Sequence, residues 1–203
     1  MGLEALKARL CSRNEHKRLE LARLLPGWEL ELLDADEYPP EDGETYYENA
    51  YTKAAFGRRV GPTDAWMLGE DSGLEVAGLD GGPGVHSSRS AAGDEVRWVL
   101  RRLDGAEGRA RRARYVCELV ALSPDGREVR GTGTLTGRIA AQPHGTGGFG
   151  FDPVFVPEGE TRTVAELGDD WKAHNSHRAR AAQALLRALT SCSVLSRSPT
   201  SRA

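Results

Sequence analysis

Two carboxylates stand side by side in WMLGEDSGLEV, Trp66 to Val76, and Ser72 and Gly73 follow them directly. Acids placed like this suit a hard divalent cation such as magnesium, which takes oxygen ligands, keeps several waters and completes its shell with substrate phosphates. They also suit activation of a water for attack. Glu41, in the loop PPEDGE (39–44), is a further acid that can join them. Successive side chains of a strand point to opposite faces, so Glu70 and Asp71 serve one cleft together only if the chain turns between them. One of the pair is expected to act and the other to support.

Cations that could face a phosphate chain lie elsewhere. In SRNEHK (12–17), Asn14 and Lys17 sit at the start of a helix, where backbone N–H groups, the dipole and an ammonium can hold an anion. Lys53 is a second candidate, for a phosphate or for the attacking water. His177 and Arg178 occupy the first turn of the last helix, where the macrodipole disfavours cations by about 0.3–1 kcal/mol. The mismatch points to an acceptor-bearing ligand, the alternative being an arginine that reaches solvent, and Lys172 lies just upstream. GTGGFG (145–150) matches G-x-G-x-x-G, but a strand-like segment follows and Asp152-Pro153 blocks helix entry, which excludes a dinucleotide fold. A Gly-rich loop remains, with Phe149, Gly150, Phe151 and Asp152 able to lie against a base, or with the two rings simply in the core. His174 and His177 lack a third nitrogen or sulfur ligand at suitable spacing, so no zinc site is expected.

The elements that must carry these residues follow from periodicity. Ser12 and Glu15 have capping-box spacing and open a helix that ends before Pro26-Gly27. WELELL (28–33) alternates as a strand, and YYENAYTKAAFGRRV reads as a helix with Tyr47, Ala50, Tyr51 and Ala54 on its apolar face. AWML (65–68) is a short strand feeding the acid pair. Residues 94–103 are helical, and a hairpin is centred on Pro124-Asp125-Gly126. DPVFV (152–156) is strand-like, and a helix runs from Ser176 to Leu189. The mixture of helices, hairpins and strands predicts an α/β fold on a mixed sheet.

Composition bounds the rest. The 203 residues, 39% hydrophobic with no apolar run near the roughly 20 residues of a membrane span, describe one folding unit over 1–190 that does not cross a membrane. The Ser- and Arg-rich end, 191–203, reads as a disordered tail. A charged N-terminal segment and three scattered cysteines predict a cytoplasmic protein without a disulfide framework. A net charge of -3 gives no general reason to bind nucleic acid, and the basic run 108–114 reads as solvated surface.

SRNEHK, ETYYENAYTKA, EDSGLEVAGLDGGPGVHSSR, GTGGFGFDPVFVPEG, TVAEL and lysine-three residues-SHR occur in this order from about Leu10 to Leu189. Together they resemble the inosine triphosphate pyrophosphatase family. The resemblance implies an elongated two-lobed fold around a long mixed sheet, an active site in the cleft between the lobes, and a homodimer. It implies cleavage of ITP, dITP or XTP to the monophosphate and pyrophosphate with Mg²⁺. By matching position, Ser12, Arg13, Asn14 and Lys17 would line the phosphates, and Glu41 and Asp71 would hold the metal. Asp71 would also be the general base, with Lys53 near the reacting phosphate and Ser72 against substrate. Phe149, Gly150, Phe151, Asp152, Lys172, His177 and Arg178 would form the base and ribose pocket. Glu70 replaces a more usual aspartate, Phe151 a more usual tyrosine, and Ser12-Arg13 a more usual Thr-Gly. Two other readings compete: a Maf-like pyrophosphatase with another base preference, and a nucleotide- or RNA-binding module without catalysis.

Overall fold

The computed structural model describes residues 5–87 and 94–195. Six strands form one open sheet in the order β2-β1-β3-β4-β5-β6, namely β1 (Leu6–Leu10), β2 (Trp28–Leu32), β3 (Trp66–Val76), β4 (Arg112–Leu122), β5 (Glu128–Ile139) and β6 (Phe155–Pro157). β1 pairs in parallel with β2 and β3, and the remaining pairs are antiparallel, so the sheet is mixed as expected. The helices are α1 (Glu15–Leu24), α2 (Tyr46–Val60), α3 (Glu95–Arg102), α4 (Val164–Asn175) and α5 (His177–Leu195).

Long strands divide the molecule into two lobes. One apolar cluster, including Leu10, Leu21, Leu68, Leu119 and Leu185, packs α1 and α5 against β1 and one end of β3 and β4. A second, including Leu74, Val99, Tyr115, Phe151 and Phe155, sits at the other end. β3, β4 and β5 run through both, and the acid pair of β3 falls between them. α2 covers the opposite face, seating Ala50 and Ala54 with Val120 and Leu122.

Register explains why a crevice forms at that point. β1 pairs with β3 only from Ala8↔Trp66 to Leu10↔Leu68, after which the chain leaves for α1. Among the described residues, Gly69 to Gly73 therefore have strand partners on the β4 side only. This unpaired edge links the two faces of the sheet.

Several local expectations shift. Asn14, not Ser12, caps α1: its side chain accepts from Lys17 N (3.1 Å), and the Ser12 hydroxyl accepts from Asn14 N (3.1 Å). Two side chains that can cap compete here, and Asn14 lies nearer the first helical turn. α2 buries Asn49 and Lys53 beside Ala50 and Ala54; Tyr47 packs half-buried against the same cluster, while Tyr51, its ring centroid 6.0 Å away, is exposed. Apolar periodicity turned the helix toward its tyrosines, whereas buried acids across the interface draw in the amide and the ammonium. AWML is the start of an 11-residue strand, and DPVFV contributes only Phe155 and Val156 to β6, because Asp152 and Pro153 lie in a turn. Arg111, in the basic run, donates to the carbonyls of Leu103, Ala106 and Ala140, so that run is only partly solvated. The last helix continues past Leu189 to Leu195, through residues assigned to the tail, and 196–203 lie outside the described residues. β1 and α4 are present beyond the elements expected from the sequence.

Candidate active site

Glu70 and Asp71 diverge as strand geometry requires. Asp71 turns to the α2 face, where Asn49 Nδ2 donates to its Oδ2 at 3.1 Å and Lys53 Nζ to its Oδ1 at 3.1 Å. Lys53 also donates to the Glu70 main-chain carbonyl (3.0 Å) and pairs with Glu41. Asn49 Oδ1 accepts from Gly43 N (2.9 Å), which ties the acidic loop to the same centre. Burial pushes the Asp71 carboxyl above its ordinary value, against the lowering effect of Lys53, while Glu70 raises it further. Burial alone would lower Lys53, but Asp71, Glu41 and Glu70 outweigh it and the ammonium is held above its usual range.

Glu70 turns to the other face, into the layer formed by α1 and α5. Its Oε2 lies 2.6 Å from Lys17 Nζ, an ion pair outside hydrogen-bond angles, and its Oε1 accepts from Arg178 Nη2 at 2.9 Å. Full burial works against its charge, yet Lys17, Arg178 and Lys53 hold the carboxyl well below the usual range. Arg178 is also paired with Glu20 and donates to Ser72 Oγ at 3.1 Å. The cations at the helix start are thus neither solvated nor left for a ligand alone.

A crevice of about 120 Å³ opens on this side, lined in part by Asn14, Lys17, Ser72, Phe149, Lys172 and Arg178. Lys172 Nζ donates to Asp152 Oδ2 at 2.8 Å, pairs with Glu20, and stands 4.8 Å from the Phe149 ring centroid. Asp152 Oδ2 also accepts from Phe149 N (3.0 Å), and burial raises its carboxyl despite Lys172. Phe149 stacks on His16 with centroids 5.4 Å apart. The His177 ring lies 4.5 Å from that of Tyr115 at an interplanar angle of 10°, and burial, reinforced by Arg178, holds its ionisation well below the usual value. Its Nδ1 has no protein partner.

Most of the expected residues converge here. Gly150, Phe151, Asp152 and His177 line the crevice, although Phe151 is 4% exposed and packs in the second apolar cluster, so it is a wall more than a stacking platform. Ser12 and Arg13 stay apart: Ser12 supports the α1 cap, and Arg13 donates to the Asp36 carbonyl with its guanidinium 5.1 Å from the Tyr38 ring centroid. Ser12 is oriented by the local turn, and Arg13 by contacts with the segment that carries Asp36 and Tyr38. Residues missed from sequence are Asn49, Glu20 and Tyr115. Asn49 precedes Lys53 by four and Glu20 follows Lys17 by three, so helical spacing could have placed each beside a chosen residue. Nothing in the sequence marks Tyr115.

Glu41 and Asp71 both contact Lys53 Nζ, which brings their carboxylates to one place beside β3. No group of three or more His, Cys, Asp or Glu side chains able to hold a metal occurs among the described residues. Two carboxylates fit an ion such as Mg²⁺ that takes its other ligands from water and phosphates.

Fold and site define an α/β protein whose acid–lysine centre and cation-lined crevice meet at an open strand edge between two lobes. The chain belongs to the Ham1 family, whose sequence profile matches residues 8–188. It is 41% identical over 194 residues to a protein of Thermus thermophilus named dITP/XTP pyrophosphatase, covering 92% of this chain and 93% of that one. A Symbiobacterium thermophilum protein of the same name is 42% identical over 178 residues, covering 85% and 89%. Among solved structures, a HAM1 protein from Coxiella burnetii superposes with a TM-score of 0.78 at 33% identity, covering 92% of this chain and 99% of that one. No described helix is long and apolar enough to cross a membrane.

Proposed function

We propose that the protein hydrolyses ITP, dITP and XTP at the α–β phosphoanhydride, releasing the monophosphate and pyrophosphate with Mg²⁺ as cofactor. The observation that carries this reading is the juxtaposition at the open β3 edge. Asp71, Lys53 and Glu41 lie on one side, and Lys17, Arg178 and Lys172 border a crevice on the other. A nucleotide whose base lies beside Phe149 can pass its phosphates over Gly69–Gly73 to reach Asp71. The names of the relatives support the substrate class.

Glu41 and Asp71 would hold Mg²⁺, which when bound neutralises phosphate charge. Asp71, raised by burial, accepts the proton of a water aligned for attack at the α-phosphorus. Asn49 fixes the carboxylate through Oδ2. Lys53 and Lys17 stabilise charge that develops on phosphate oxygens. At the far end, Lys172, Arg178 and His177 face the base. Hypoxanthine and xanthine offer an O6 acceptor, whereas adenine carries an amino donor there, and donors left unpaired discriminate by up to about 10⁴–10⁵. The family resemblance further supports a cytoplasmic homodimer; light scattering on the purified protein would check the oligomeric state.

The test is pyrophosphate release from ITP, dITP, XTP, ATP, GTP and dTTP, with and without Mg²⁺. Release from the first three with metal is expected. Preference for dTTP would favour a Maf-like activity, and binding without release a non-catalytic module; either outcome overturns the proposal.

A further inference from the structure

The mechanism leaves the most deeply buried carboxylate, that of Glu70, unused. The Glu70 side chain has no solvent exposure and lies between cations from two helices. Lys17 comes from the first turn of α1 and Arg178 from the first turn of α5, and both line the crevice; on the nucleotide reading above, Lys17 serves the phosphates and Arg178 the base. Each takes its own oxygen, Lys17 at 2.6 Å from Oε2 and Arg178 Nη2 at 2.9 Å from Oε1, with Arg178 Nε at 3.2 Å from the same Oε1. The Cys117 thiol lies 3.6 Å from Oε1.

A buried ion pair is weak grounds for stability, because desolvation offsets the attraction and apolar packing does as well. Its use is better sought in geometry. A guanidinium with two nitrogens on one carboxylate oxygen is fixed in direction, and an ammonium beside the other oxygen is fixed in place. Glu20, three residues after Lys17 on α1, pairs with both Arg178 and Lys172. Arg178 therefore sits between two carboxylates, and only Glu70 also contacts Lys17.

We propose that Glu70 is a positioning residue that couples the two ends of the crevice: by holding Lys17 and Arg178 on opposite oxygens, it makes correct base contact a condition of correct phosphate placement. This rests on the nucleotide reading above. Glu70 does not touch the reacting atoms, so its loss should alter which base is accepted more than how phosphates alone are bound. Inorganic tripolyphosphate carries no base and serves as the control.

The experiment compares Glu70→Gln and Glu70→Asp with wild type, measuring kcat/KM for ITP and ATP and inhibition by tripolyphosphate. Glu70→Gln should lower the ITP-to-ATP preference by about tenfold and change tripolyphosphate inhibition by less than about threefold. Glu70→Asp keeps the charge and should recover most of the preference. Equal losses on ITP and ATP would mean a structural role and overturn the proposal.

Should Glu70→Gln fail to fold, Lys17→Met, Arg178→Met and the double variant test the same coupling with Glu70 intact. Their affinities for an α,β-imido analogue of ITP should be non-multiplicative by at least about fivefold. Multiplicative losses would overturn the coupling. A wild type that releases no pyrophosphate from ITP would instead remove the functional reading, so the two failures are distinguishable.

Discussion

Glu70 and Asp71 are consecutive on one strand, yet their carboxylates lie on opposite faces of the sheet, one against Lys17 and Arg178, the other against Lys53 and Asn49. The same strand edge thus serves two jobs, and each acid has its own cations. Of this pair, only Asp71 combines a raised carboxyl, a lysine and a second acid, Glu41, joined through that lysine.

Asp71→Asn is expected to lower kcat for ITP by about 10²–10⁴ while nucleotide binding remains measurable, because the amide keeps the shape but cannot take a proton. Steady-state kinetics with calorimetric binding would check it. A variant at wild-type rate would remove Asp71 from the base role.

Glu41→Gln should raise the Mg²⁺ concentration needed for half-maximal rate by about 10–100-fold and leave saturated kcat less affected. A magnesium titration at fixed ITP measures this. An unchanged titration curve would place the metal elsewhere.

Phe149→Leu removes a ring that stands 4.8 Å from Lys172 Nζ and 5.6 Å from the Arg178 guanidinium. Loss of base stacking should raise KM for ITP about tenfold with kcat within about threefold. A drop confined to kcat would argue against a base at this ring.

His177 is buried with its ionisation held well below the usual value. The unfolded chain gains this proton near pH 6.5 while the folded chain refuses it. The contribution to stability is therefore full above about pH 6.5 and declines as pH falls toward the depressed folded value. Thermal unfolding at pH 7.5 and pH 5.0 should show a larger drop for wild type than for His177→Gln. Equal drops would mean that the imidazole is not the group responsible.

Gly69→Ala should destabilise the protein by about 1–3 kcal/mol or more. A Cβ there would stand 1.8 Å from the Ala50 carbonyl oxygen, so α2 could not keep its distance from β3. A melting temperature within 1 °C of wild type, where about 2–4 °C per kcal/mol is the scale for this size, would refute the close approach.

Patterns of short range were legible. The hairpin at Pro124-Asp125-Gly126, the alternation of WELELL and the helix start near SRNEHK each rest on residues within a few positions of one another, and each element is present. Opposite facing of Glu70 and Asp71 also follows from strand geometry alone. Asn49 and Glu20 were missed because periodicity sorts residues by hydrophobicity, and a buried amide or a half-buried acid is placed by partners elsewhere in the chain.

Those partners come only with folding. Arg178 and Glu70 are 108 residues apart, Lys53 and Asp71 18, and Lys172 and Asp152 20. No local spacing records that α1 and α5 share a face of the sheet, or that β1 stops pairing at Leu68 and leaves an edge to cross. The chain order of the motifs was enough to indicate a nucleotide pyrophosphatase family. Which carboxylate meets which cation was decided by sheet register and helix packing, because charges are buried in pairs only where the backbone has already brought them together.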